Sequence, residues 1–516
     1  MFDGESIGFV VAGSFSEGLT FRLHKSVNIE NIRIGDYVVV EGKNFDFLCL
    51  IEDIRLANTT DEVFFDPPKT VLEKSAISSF VYTEISIFPF LMFDKSSLTS
   101  YSKSIKTLPA HFSMVRFAKD EDFQKISKEE TSLYIGTPLT SQSKMFIDLE
   151  KVAMRNTGLF GITGSGKSFL ARILFSGLIK KNISSLLIFD MHNEHGLQTK
   201  DEKGNYIESL ASVCRDRVKI FDVSAENKDA SNYIVVPYSD INVEDIILIG
   251  DLLDFSEKSA ETLEIVASKK LDDWFNFLLN EYPKKTEEEK KDIASSLGVD
   301  LSSLNALSRH LQKLRRLDFV RLSDETSSIE NIIKNLKEGN SVVVQFSGKY
   351  RDDRLTYYFV SNILTRRIYN EFIKEEGGKR RVTIAVEEAH KFLSKQYQSN
   401  NVFGKIAREL RKFNVTLFII DQRPSEIDPE VLSQIGTRFV MELKDSKDID
   451  AVFQGVGNEK RLSRVLSTLE QGQALVIGFA AEFPMSINVR KYDETFIKEI
   501  KATDITKGKK AVDDIY

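Results

Sequence analysis

The segment Gly161-Ile-Thr-Gly-Ser-Gly-Lys-Ser168 constrains this chain more than any other feature. It fits the pattern G-x-x-x-x-G-K-[S/T], and its neighbours supply the setting that the pattern needs. The apolar pair Leu159 and Phe160 precedes it and reads as a strand end. A helix is expected after it, with Phe169, Leu170, Ile173, Leu174 and Leu178 on one face. Gly161, Gly164 and Gly166 let the backbone curl so that its amides, including those of Thr163 and Ser165, point at phosphate oxygens at the positive end of that helix. Lys167 is placed to neutralise β- and γ-phosphates, and Ser168 to ligate Mg²⁺.

A phosphate-binding loop of this kind needs carboxylates to place the metal and the attacking water. The run Arg381-Val-Thr-Ile-Ala-Val-Glu387-Glu388-Ala-His-Lys supplies them. It reads as a buried strand with two acids at its carboxyl end, where open α/β sheets bind ligands. Glu387 is expected to hold Mg²⁺ through water and Glu388 to polarise the attacking water. Acids in the first position are usually Asp, and Glu387 is one methylene longer. A further strand ends in Asp421-Gln422-Arg423-Pro424, where Gln422 can hydrogen-bond the γ-phosphate or the water. Arg408 and Arg411 lie about one helical turn apart on one face. Either can be offered to a neighbouring subunit's nucleotide. His192 and Glu194, in Asp190-Met-His-Asn-Glu-His195, read as a polar loop lining the nucleotide pocket. The His192-x-x-His195 spacing lacks the i, i+4 pair of a helical zinc site, and no paired cysteines lie nearby. The basic stretch Arg309 to Arg316, the segment Lys349-Tyr350-Arg351 and the region Lys391 to Lys405 are candidates for contact with DNA phosphates.

Composition narrows the setting. With 42% hydrophobic and 28% charged residues the chain reads as globular, not disordered. Its 70 basic and 77 acidic residues give a net charge of −7, so any nucleic-acid contact must be local. Two cysteines in 516 residues fit a reducing cytoplasm and not a disulfide scaffold. The N-terminus shows no signal peptide. No apolar run approaches the roughly 20 residues that span a bilayer, so a cytoplasmic location with no membrane contact is expected.

The expected organisation is multidomain. Residues 1–115 carry short β-branched or aromatic runs punctuated by glycine, which suggests a small β-barrel, with Pro67-Pro68 in a loop. Residues 116–145 read as a linker. Residues 146–242 and 339–495 carry short, continuous apolar runs alternating with helix-like segments, the mark of a parallel α/β sheet, here of the RecA-like P-loop ATPase class. Residues 243–338 show helical spacing and read as a helical insertion. Residues 496–516, with Lys507-Gly508-Lys509-Lys510, read as a charged tail.

These residues together resemble the HerA family of DNA-translocating ATPases, related to FtsK, over nearly the whole chain. Ile7-Gly8-Phe9-Val10 and Ile34-Gly35-Asp36-Tyr37-Val38 are similar to the family's opening HAS-type barrel. Ile135-Gly136, Ile147-Asp148-Leu149, the phosphate loop and Asp190-x-His192-x-Glu194 also match it. So do Glu387-Glu388-Ala-His, Arg408-Glu-Leu-Arg411-Lys-Phe, Gln422-Arg423-Pro424 and Ser433-Gln434. Glu387 stands where the family usually has Asp, and Asp421 where it commonly has Ser. The resemblance implies a homohexameric ring around double-stranded DNA, driven by ATP and Mg²⁺. Lys167, Ser168, Glu387 and Glu388 of one subunit would meet an arginine of the next. It further implies a partner that is a nuclease of the NurA kind or a nuclease or sirtuin-type effector in antiphage defence. The barrel, spare with respect to ATP chemistry, is the expected docking platform.

Overall fold

In the computed structural model, the described residues are 6–58, 81–96, 101–126, 131–200, 204, 206–227, 230, 232–269, 273–322, 327–374, 380–394, 402–409, 413–457 and 459–502. Pro67-Pro68, Arg411, residues 395–401 of the Lys391–Lys405 region and the tail from residue 503 lie outside them.

The N-terminal sheet comprises β1 (Gly8–Ser14), β2 (Gly18–Leu23), β3 (Tyr37–Glu41), β4 (Phe45–Asn58), β5 (Val81–Asp94), β6 (Tyr101–Ser102) and β7 (Met114–Phe117). Its order is β2-β1-β7-β3-β4-β5, and β2 pairs back onto β5, with Leu19 opposite Ile87 and Phe21 opposite Ile85. Six strands therefore close into a barrel, and β6 is appended to β5. Closure removes open edges from a sheet of short strands. Period-2 alternation builds its interior: Ile85, Ile87, Pro89, Leu91 and Phe93 of β5 are buried, while the residues between them are part-exposed.

A twelve-stranded sheet forms the rest of the core. Its members are β8 (Ser132–Pro138), β9 (Met145–Asp148), β10 (Asn156–Phe160), β11 (Ser185–Asp190), β14 (Val218–Asp222), β15 (Asn232–Tyr233), β18 (Ser341–Gln345), β19 (Val382–Glu387), β20 (Val415–Asp421), β21 (Ile435–Val440), β22 (Gln473–Gly478) and β23 (Met485–Val489). Two small ribbons complete the strands, β12 (Thr199–Lys200) with β13 (Tyr206–Ile207) and β16 (Val236–Pro237) with β17 (Val320–Arg321). The order β15-β14-β18-β11-β19-β20-β10-β21 is parallel throughout. Then β22, β23, β8 and β9 follow antiparallel. Every residue of β10, β11, β18, β19 and β20 is buried, as continuous apolar runs covered by helices on both faces require.

Three sequence expectations change. The stretch 116–145, expected as a linker, contains β8, which pairs β23 within the large sheet. Gly136 makes that pairing possible, because a Cβ there would sit 2.2 Å from the Asn488 carbonyl oxygen. The helix Lys167–Lys180 is buried from Leu170 to Lys180 on all sides instead of along one stripe, while Phe169 is exposed. It packs against β8, β10 and β11 of the sheet and against the short helices Leu149–Met154 and Leu210–Val213. Among the described residues of segment 243–338 the elements are helices apart from β17, which returns to pair with β16.

Two contacts fix the neighbours of the nucleotide-binding half. Asp245, at the start of the helical segment, is wholly buried against Arg366 of the helix Arg354–Lys374. Its oxygens accept from Arg366 Nε and Nη2 at 2.9 and 2.7 Å, from Asn362 at 2.7 Å and from the Asn242 backbone at 2.8 Å. The barrel meets the large sheet through Tyr37, whose hydroxyl donates to the Pro484 carbonyl at 3.0 Å. Arg461 adds a bond to Glu52 at 2.8 Å and lies over the Phe88 ring. Among the described residues no helix is long and apolar enough to cross a membrane.

Candidate active site

The phosphate loop leaves β10, which lies between β20 and β21 in the parallel part of the sheet, and enters the helix at Lys167. Gly164 and Gly166 hold φ of +81° and +109°, a left-handed backbone that side chains disfavour. Strand neighbours pin the loop: Gly161 N–H donates to Asp421 O at 3.2 Å and Ile162 N–H to Glu442 O at 2.9 Å. Lys167 Nζ folds back on the loop and donates to the carbonyls of Gly161 and Ile162 at 2.7 and 2.8 Å. Burial pulls this ammonium below its usual value, while Glu388, Asp421, Glu194 and Glu387 work against the shift.

The cleft above the loop has a volume of roughly 930 Å³. It brings together Thr163, Gly164, Gly166, Lys167, Ser168, Phe169, His192, Glu194, Glu387, Glu388 and Gln422 from segments far apart in sequence. Gly161 and Ser165 lie beneath it, with the Ser165 hydroxyl donating to Ile162 O at 2.8 Å. Arg408 does not line the cleft of its own chain; its guanidinium is 3.5 Å from Glu430.

Gln422 links the two chemical ends of the cleft. Its side-chain oxygen accepts from the Thr163 hydroxyl at 2.6 Å, and its amide nitrogen donates to Glu388 Oε1 at 2.7 Å. Glu388 holds a left-handed φ of +51°, a strained setting for a non-glycine residue of the kind that gathers at functional sites. Lys391 lies 3.8 Å from its other oxygen. Asp421 caps the same turn by accepting the His390 N–H at 2.6 Å and the Arg423 N–H at 2.7 Å.

Glu387 is joined to β11. Its Oε1 lies 3.2 Å from His195 Nε2, and its backbone is bonded in both directions to the buried Tyr357 hydroxyl. Burial pushes the Glu387 carboxyl above the usual range, against the pull of His195. Burial alone would lower His195, but its bond to Glu387 and the charges of Asp190 and Glu387 raise it. The second oxygen, Glu387 Oε2, is buried with no hydrogen-bond partner. A free hard oxygen here and the Ser168 hydroxyl at the helix start are the donor set that magnesium accepts, so the residues fit that ion.

Several contributors escaped sequence reasoning. Arg172, one turn beyond the loop, donates Nε to Glu194 O at 2.9 Å and fixes the 190–196 turn. Gln471 donates to Gly164 O at 2.8 Å, and Arg351, a candidate for DNA contact by sequence, lines the cleft instead. None belongs to a local motif. The basic candidates are placed differently from the expectation: Lys313 pairs with Asp254, Arg316 with Asp353 and Lys349 with Asp318.

A phosphate loop that joins a buried parallel strand to a helix, faced by an acid pair and a polar strand end, defines a P-loop ATPase. The comparisons with known proteins narrow this. The family profile for the central domain of helicase HerA matches residues 133–368, and the HAS barrel domain matches residues 7–81. The DNA double-strand break repair helicase HerA of Sulfolobus acidocaldarius is 26% identical over 500 residues, covering 95% of this chain and 94% of that protein. The probable DNA double-strand break repair helicase HerA of Methanocaldococcus jannaschii is 25% identical over 523 residues, covering 91% and 93%. Among solved structures, the bacterial conjugative coupling protein TrwBdeltaN70 shares the fold with a TM-score of 0.50, 14% identity and coverage of 73% of this chain and 92% of that one. These matches support a HerA-family ATPase.

Proposed function

We propose that the protein is an ATP-hydrolysing motor that moves along double-stranded DNA as a ring of six copies. It would act with a nuclease or other effector partner in DNA end processing or antiphage defence. The observation that carries this reading is the Gln422 bridge, which ties the phosphate loop at Thr163 to the acid Glu388 within one cleft. The full-length likeness to HerA repair helicases supplies the DNA.

The residues divide the work as follows. Amides of the glycine-rich turn cradle the triphosphate at the helix start. Lys167 leaves the carbonyls of Gly161 and Ile162 for the β- and γ-phosphates. Ser168 and the free oxygen of Glu387 hold magnesium, directly or through its water. When bound, that ion neutralises charge that grows on the phosphates. Glu388 takes the proton of the attacking water, and Gln422 orients that water and senses the γ-phosphate. Loss of the γ-phosphate is then felt at the Thr163–Gln422–Glu388 relay. Arg408 or Arg411 completes the site of the adjacent copy, where an arginine stabilises transition-state charge. The barrel of residues 1–115 docks the partner; deleting it without loss of partner binding would refute that role.

ATP turnover measured with and without duplex DNA tests the motor, together with the solution mass in an ATP analogue and Mg²⁺, where Glu388→Gln traps the loaded state. Stimulation by duplex, its loss in Lys167→Ala and a six-copy mass support the reading. Turnover indifferent to DNA, or a monomer under all conditions, counts against it and favours a nucleotide-binding scaffold for a partner enzyme.

A further inference from the structure

The two acids at the end of β19 are tethered to opposite sides. Glu388 is bound through Gln422 to the phosphate loop, and Glu387 through His195 to the turn after β11. That turn is built around Asp190, which is fully buried and accepts the backbone N–H groups of Glu194, His195 and Gly196 at 2.7, 2.9 and 2.8 Å. The His195 ring is itself wholly buried and packs edge-on against Phe175 at 5.6 Å. Side-chain ligand atoms of Asp190, His195 and Glu387 lie within 4.8 Å of one another. Two orphaned atoms remain, Glu387 Oε2 and His195 Nδ1. So His195 takes one carboxylate oxygen and leaves the other without a partner.

We propose that His195 is a positioning residue, holding one oxygen of Glu387 so that the other is presented to the magnesium ion of the bound nucleotide. This rests on the reading of Glu387 as the acid that holds magnesium. The need for such a hold follows from the length of the side chain. Glu has one more rotatable bond than Asp, and leaving it free costs ordering entropy each time nucleotide binds. An aspartate at this position would fall short by roughly 1.5 Å, one C–C bond, and could not keep a contact that is already 3.2 Å long. His195 and the longer acid are therefore a matched pair. Groups that orient metal-holding side chains typically tune metal affinity by about 10–100-fold.

The test compares the full chain with His195→Leu, His195→Gln, Glu387→Asp and the His195→Leu/Glu387→Asp double variant. The readout is the magnesium concentration that tightens binding of a fluorescent ATP analogue, with affinity in EDTA as reference. His195→Leu is expected to raise that concentration about tenfold and leave the EDTA affinity unchanged. His195→Gln, which keeps an N–H donor, should stay within about threefold of the parent. In the Glu387→Asp background His195→Leu should add less than about twofold, because the shorter acid no longer reaches it. An equal shift in both backgrounds, or none in the parent, overturns the proposal. So does a stoichiometric cation retained by the purified protein, which would make His195 a ligand. If His195→Leu does not fold, His195→Asn, too short to reach Glu387, takes its place. Glu387→Ala separates the underlying reading: an unchanged magnesium requirement there removes the role of Glu387 itself, whatever His195 does.

Discussion

Replacing Gln422 by Ala removes the bond to Glu388 at 2.7 Å and the bond from Thr163 at 2.6 Å without touching the phosphate cradle. The first bond reaches a carboxylate, and hydrogen bonds to charged groups contribute about 1.5–3 kcal/mol. If that energy acts on the attacking water in the transition state, each 1.36 kcal/mol is a factor of ten, so kcat should fall by about 10–150-fold. Binding of the nucleotide depends on Lys167 and the loop amides, so KM should move by less than about threefold. Thr163→Val removes only the neutral bond, worth about 0.5–1.5 kcal/mol, and should cost no more than about tenfold. Gln422→Glu sets a second carboxylate against Glu388 and should be worse than Ala. Steady-state ATP hydrolysis at saturating magnesium, with nucleotide affinity measured separately, reads these values. A Gln422→Ala protein that keeps kcat within twofold, or loses only in KM, refutes the relay.

Other expectations concern stability. Asp36 is 2% exposed, and burial pushes its carboxyl up to about 6 from 3.8, with the nearby Thr140 and Arg33 offsetting only part of that cost. The folded state thus holds this proton more tightly than the unfolded chain, and stability falls as pH rises from about 4 through 6. Asp36→Asn should raise the unfolding free energy read by urea denaturation at pH 7–8, by up to about 3 kcal/mol, and make little difference below pH 4. Asp245→Ala leaves the Arg366 guanidinium buried without its acid, which should cost about 3–5 kcal/mol, whereas the Asp245→Leu/Arg366→Met pair should lose much less; equal losses on chemical denaturation would contradict this. Arg461→Ala cuts the bond to Glu52 and should lower hydrogen-exchange protection in the barrel while the helix Lys167–Lys180 keeps its own.

The sequence made the chemistry legible where it is local. The phosphate loop is contiguous, and the strands that frame it announce themselves as unbroken apolar runs because both faces are covered. What could not be read there depends on distant partners. Strand β8 reads as part of a polar connection, and only its pairing with β23, about 350 residues later, makes it a strand of the large sheet. Strand β21 carries Arg438, which argues against a buried strand until its guanidinium is seen donating to the carbonyls of Leu432, Val452 and Gln454. By sequence His195 is the second histidine of a polar loop; its bond to Glu387 spans 192 positions. Arg408 and Glu387 stand out by type and spacing, but neither spacing nor type says which chain an arginine faces or which oxygen of an acid is free.

Gripping duplex DNA also makes a demand on charge that the fold changes. Lys313, Arg316 and Lys349, candidates for phosphate contact by sequence, are each committed to an acid. The cations of these pairs are exposed, and surface pairs contribute only about 0–1 kcal/mol, so a phosphate can take the cation at small cost. The displaced acid then stays beside the phosphate and repels it. Exchange also alters the salt dependence. A free cation releases a counterion from DNA, giving a slope of about −0.9 per phosphate neutralised. A cation taken from Asp318 or Asp353 leaves that acid to gather a counterion of its own, which cancels part of the release. Asp318→Asn and Asp353→Asn should therefore tighten duplex binding and steepen its salt dependence, while Lys349→Ala should weaken it, as read by titration of labelled duplex from low to moderate salt. Variants at all three positions that bind as the parent does, with the same slope, would place the DNA-facing cations elsewhere on the chain.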